Sequence, residues 1–156
     1  MFKIVSSLAL ATALSLPSMV EARPVKLTTQ IGNFGGYSAF VVLYVTDPKG
    51  AYVGTIWMAG GAPRYYRHLL DWAQLSGGRS SDLNGITGAS VGAGRTLTIN
   101  TDLSDALLNA GYELHIDAAS ENFRESPSEI VVPLNSKNFG KPVRGRRFIK
   151  SFSMQM

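Results

Sequence analysis

Residues 39–58, AFVVLYVT-DPKG-AYVGTIWM, constrain the fold more than any other stretch of the chain. Both flanking runs are dense in β-branched and aromatic side chains and read as strands, the first of them buried. The residues between them form a turn, in which Pro48 supplies a fixed φ and Gly50 tolerates a positive one. The two runs therefore make a hairpin, which commits this part of the chain to a sheet.

Further strands are expected at 25–31, 95–100, from Gly111-Tyr112 to about residue 118, at 128–134 and at 147–154. One segment breaks the pattern. Tyr65, Leu69 and Trp72 recur at helical spacing behind Pro63, so one short helix is expected over residues 63–74. Residues 79–94 are rich in Gly and Ser and read as a long loop; residues 101–110 read as a connection with a helical turn at 103–108, and Asp102 as a turn cap. The fold class that follows is mainly β: an antiparallel immunoglobulin-like β-sandwich with one short helix.

Met1-Phe2-Lys3, an apolar run to Leu16 and the small residues before Ala22 have the order of a secretory signal, so residues 1–22 are expected to be cleaved after Ala22. The apolar run is shorter than the ~20 residues of a spanning helix. The product would be periplasmic. It would divide into a β-sandwich domain over 23–136 and a basic tail or last strand over 137–156. The 156 residues include no cysteine, so packing alone must hold an exported domain, and Cys-based metal sites and nucleophiles are excluded. Two histidines make a transition-metal site improbable. The net charge of +4 is concentrated late, in Lys137, Lys141, Arg144, Arg146, Arg147 and Lys150. Export argues against nucleic acid as the partner of that charge, which leaves weak, salt-sensitive contact with an anionic membrane surface or simple solvation.

The stretch NGITGASVGAG, residues 84–94, carries the candidate chemistry. Gly88-Ala89-Ser90-Val91-Gly92 has the spacing of a nucleophile elbow, but no helical pattern follows it, as a hydrolase would need. Gly85-Ile86-Thr87-Gly88-Ala89-Ser90 instead resembles the target site of the FAD:protein FMN transferase, with Asn84 where that motif has Asp. The resemblance implies FMN joined by a phosphoester to Ser90, on a loop whose glycines let phosphate approach the backbone. Tyr66 and Trp72 are the candidate rings to cover the flavin, and Arg95 the candidate phosphate partner. Such aromatics are more often core, and a Gly/Ser loop can be plain architecture.

The order FVVLYVTDPKGAYVGTIWMAG, RYYRHLLDWAQL, NGITGAS, GRTLTINTD and GYELHIDAASEN resembles domain-of-unknown-function family 2271, predicted periplasmic proteins, from about residue 25 to 134. That resemblance implies an immunoglobulin-like sandwich and association with envelope redox systems. The expectation is thus a covalent-FMN carrier in envelope electron transfer, with the transferase and redox proteins as partners and no catalysis of its own. The alternative is a non-catalytic periplasmic binding or assembly module without cofactor.

Overall fold

The computed structural model describes residues 21–156; the expected leader, but for its last two residues, lies outside the described residues. Nine strands and one α-helix follow: β1 Ala22–Ile31, β2 Ser38–Thr46, β3 Tyr52–Ala59, α1 Leu70–Ser76, β4 Thr87–Gly88, β5 Val91–Gly92, β6 Thr96–Ser104, β7 Glu113–Ala119, β8 Ser126–Pro133 and β9 Ile149–Gln155. The protein is mainly β with one short α-helix.

The strands form two sheets. The smaller has the order β6-β1-β9; the larger has β4-β3-β2-β7-β8, with β5 added beside the start of β2. The β2–β3 hairpin is closed by the expected turn. Asp47 Oδ1 accepts the amides of Lys49 (2.8 Å) and Ala51 (2.9 Å), and Gly50 takes φ +83°. Every residue of β2 after Ser38 is buried. Ala39, Val41, Leu43 and Val45 enter a core shared with Leu27 and Ile31 of β1, Ile99 of β6 and Phe152 of β9. Phe40, Val42 and Tyr44 enter a second cluster with Tyr66, Leu69 and Trp72. A strand covered on both faces needs an unbroken apolar run, which is what AFVVLYV supplies.

Four local expectations are corrected. The helix expected over 63–74 is two pieces, a 3₁₀ turn at Pro63–His68 and then α1, separated at Leu69 (φ −88°, ψ 77°). The break has a cause in β7. The buried carboxylate of Asp117 accepts the Trp72 amide at 2.7 Å, which starts a fresh helix there, and Gly77 at φ +75° ends it. Residues 79–94 are also not one open loop, because β4 lies parallel to the end of β3 and β5 antiparallel to the start of β2. The pairing is therefore antiparallel everywhere except at β3–β4. Finally, β6 runs on to Ser104 because β1 begins early enough to pair with it there. Asp102, expected to cap a turn, lies within that strand opposite Pro24, and the helical turn shrinks to Asp105–Leu107.

Of tail and strand, the basic C-terminal segment ends as a strand, with β9 paired to β1. The approach to β9 is held by Glu129 of β8, which is 3 % exposed. Its Oε1 accepts four successive amides, Arg146 (2.8 Å), Arg147 (2.5 Å), Phe148 (2.9 Å) and Ile149 (3.1 Å), while Ser126 Oγ donates to Oε2.

Candidate functional site

Where β2 begins and β3 and β7 end, an open cleft of about 650 Å³ is left at the end of the larger sheet. Ser38, the first residue of β2, organises its floor. Ser90 Oγ donates to Ser38 Oγ at 3.1 Å, and Ser120 Oγ to the Ser38 carbonyl at 2.6 Å. Phe40, Tyr65 and Phe123 supply apolar wall, and Glu121 and Asn122 stand on the rim. Phe40 and Tyr65 stack with centroids 4.7 Å apart, and the Arg64 guanidinium lies 4.8 Å from the Tyr65 ring centroid. Phe123 is held edge-on to Phe34 at 5.4 Å. Tyr37, on the same rim, is 99 % exposed. The lining includes the carboxylate of Glu121 and no Lys or Arg.

A second hollow of about 360 Å³ shares Phe40, Tyr65 and Phe123 with the first and extends to His68 and Glu125. His68 Nδ1 and Glu125 Oε1 are 2.8 Å apart. That hydrogen bond, from a partner that can carry positive charge, holds the Glu125 carboxyl below the usual range.

The Gly-rich stretch is pinned rather than free. Met58 N donates to the Ile86 carbonyl and Gly60 N to that of Gly88, both at 2.8 Å. Gly85 takes φ +79°, and a Cβ on Gly88 would stand 2.9 Å from the Trp57 ring, so both positions require glycine for architecture. Thr87 and Ala89 are exposed, and Ser90 is half-buried on the cleft wall. The partner of Ser90 Oγ is Ser38, and β5 follows it instead of the helix that a nucleophile elbow precedes.

The remaining expected site residues lie elsewhere. Tyr66 and Trp72 are 5 % and 1 % exposed, edge-on to one another at 6.0 Å under the outer face of the larger sheet. The Tyr66 hydroxyl donates to the Gly60 carbonyl (2.6 Å) and the Trp72 indole to Thr55 Oγ1 (2.8 Å). Neither ring lines the cleft beside Ser90; Tyr65 and Phe40 do. Arg95 is exposed and outside the cleft lining, its backbone engaged with Ile31 and Gly92. Sequence spacing set Tyr65 on the same face of a regular helix as Leu69 and Trp72. The 3₁₀ turn rotates Tyr66 inward instead and leaves Tyr65 at the cleft. Ser38, Ser120 and Phe123 gave no periodic signal.

Behind the cleft, the buried Asp117 ties β7, α1 and β8 together. Besides Trp72 N, it accepts Ser128 N at 2.8 Å and the Tyr44 hydroxyl at 3.3 Å. Burial raises the Asp117 carboxyl despite these donors, and burial together with the Asp117 and Asp71 charges pushes the Tyr44 hydroxyl above the phenol range. Among the described residues, no group of three His, Asp or Glu is arranged for a metal ion, and no helix is long and apolar enough to cross a membrane.

No curated protein and no solved structure matches the chain. One family does, over residues 22–151, and the match takes in most of the basic C-terminal segment that the motif order had left out. The chain belongs to that family, the predicted periplasmic proteins of DUF2271.

Proposed function

We propose that this chain is a non-catalytic periplasmic binding module that works through the cleft at the Ser38 end of the larger sheet. The observation that carries this reading is the cleft itself. It combines aromatic walls with three serine hydroxyls, an amide and a carboxylate, at a volume usual for small-molecule sites. Its scaffold is read as an antiparallel, immunoglobulin-like sandwich, a view supported by the core that the two sheets share. Mass spectrometry of protein taken from the periplasm tests the proposal. A ligand should add mass under native conditions and leave on denaturation. Gly61 lines the cleft, and a Cβ there meets nothing within 4 Å, so Gly61→Phe should fill the space and remove the added mass. Bare protein under native conditions, or a ligand indifferent to Gly61→Phe, would refute it.

One observation favours a second reading, covalent FMN on Ser90 in envelope electron transfer. Ser90 is half-buried in the open cleft and its hydroxyl is held by another hydroxyl, that of Ser38, which leaves it accessible to a transferase. In that reaction Ser90 Oγ bonds to the FMN phosphorus of FAD as AMP leaves. The flavin supplies the redox chemistry, while Phe40, Tyr65 and Phe123 would flank it. Co-expression with the FAD:protein FMN transferase should then give flavin that survives denaturation, is lost in Ser90→Ala and is kept in Ser90→Thr. Flavin-free wild-type protein under those conditions would end this reading and leave the first one standing.

A further inference from the structure

From Ile130 to Met156 the chain has six basic residues and no acid. They are carried by an ordered edge. Gly140 N donates to the Met154 carbonyl at 2.7 Å, and Val143 and Phe152 exchange backbone hydrogen bonds at 2.7 and 2.8 Å. The nearest acid in sequence, Glu129, is buried, and its Oε1 takes the four amides of 146–149. Among the described residues it forms no ion pair with the basic side chains outside. The Arg146 guanidinium goes to the carbonyls of Pro127 and Ser128. Lys137, Lys141, Arg144, Arg147 and Lys150 are exposed, and among the described residues none of the ion pairs uses them.

We infer that this edge is a docking platform for an anionic phospholipid surface. Five unpaired cations on a fixed frame fall within the range that recognises such surfaces. Between Lys137 and Lys150 the large apolar side chains, Phe139, Val143, Phe148 and Ile149, pack in or against the core, so the attraction there is one of charge without insertion. It must therefore fade as salt shortens the screening length. This inference stands apart from what the cleft binds.

Sedimentation of the purified mature chain with vesicles tests it. Binding is expected to phosphatidylcholine vesicles containing phosphatidylglycerol, with none to phosphatidylcholine alone, and should disappear in high salt. The triple variant Lys137→Ala/Lys141→Ala/Arg144→Ala should bind about two orders of magnitude more weakly, at roughly five-fold per cation. A control of equal charge, Lys49→Ala/Arg67→Ala/Arg79→Ala, should retain most of the binding. Circular dichroism would establish that both variants are folded. Equal losses in the two variants would reduce the effect to net charge and overturn the inference. So would retention on immobilised polyglutamate without vesicle binding, which would assign the platform to an acidic protein.

Discussion

Replacing Glu129 with alanine should cost the domain about 4 kcal/mol, which would place one surface-strand carboxylate among its most important side chains. The magnitude follows from what happens to the four amides it accepts. Arg146 and Arg147 are exposed, so their N–H groups can turn to water. Phe148 and Ile149 are 0 % and 3 % exposed, so their N–H groups cannot turn to water in the same way. A buried donor left unsatisfied costs about 1–3 kcal/mol, and two of them give the figure above. Glu129→Gln keeps an acceptor oxygen for the same amides but loses the charge assistance, so it should cost roughly half as much. Urea unfolding at neutral pH measures both. At about 3–4 °C per kcal/mol for a domain of this size, the alanine variant should melt roughly 14 °C below wild type. An alanine variant within about 1 kcal/mol of wild type would show that the amide cluster is incidental to stability, and the reasoning would fail.

Gly145→Ala attacks the same loop sterically. Its Cβ would stand 2.4 Å from the Ile149 carbonyl oxygen, so the variant should lose more than about 2 kcal/mol in the same urea assay; wild-type stability would mean that the loop simply moves aside. Asp117 predicts a pH dependence. Burial raises its carboxyl, so the stability this proton supplies is complete below the ordinary carboxylate pKa and is lost as pH rises through the raised value. Against Asp117→Asn, which cannot titrate, the wild type should lose relative stability across that window, and parallel urea midpoints for the two proteins would contradict it. Glu125 titrates the other way. His68→Ala should move its carboxyl upward in an NMR titration by removing the first cause of its lowering, and an unchanged curve would deny the His68–Glu125 pairing.

How much of this was legible in the residues depended on whether the signal was local. The hairpin was, because a buried central strand and its turn both leave marks in adjacent positions, from Phe40 to Gly50. The glycines around Ser90 were visible too, but what they serve is architecture, the positive φ of Gly85 and the Trp57 ring beside Gly88. The helix break at Leu69 was not, since its cause is a carboxylate 45 residues away from the amide it caps. The cleft aromatics were misassigned by one residue for a related reason. A 3₁₀ turn advances its side chains by 120° rather than 100°, and sequence spacing alone does not separate the two over six residues. Nor could the sequence show that Glu129 is used by the backbone, because a carboxylate two positions before Val131 reads as an ordinary solvated strand residue.

The strand order also bears on how such a protein is exported. β1 is the middle strand of its sheet, yet its two neighbours come from residues 96–104 and 149–155, and Lys26 pairs with Gln155. A polypeptide threaded across a membrane from its N-terminus delivers β1 first and then has nothing in that sheet to pair it with. The sheet closes only when the far end of the chain has followed. Pairings that distant in sequence also form slowly, whereas local hairpins such as β2–β3 need no late partner. The clasp that fastens β1 to β9 therefore engages on the outer side of the membrane and gives folding its direction in time as well as its final form.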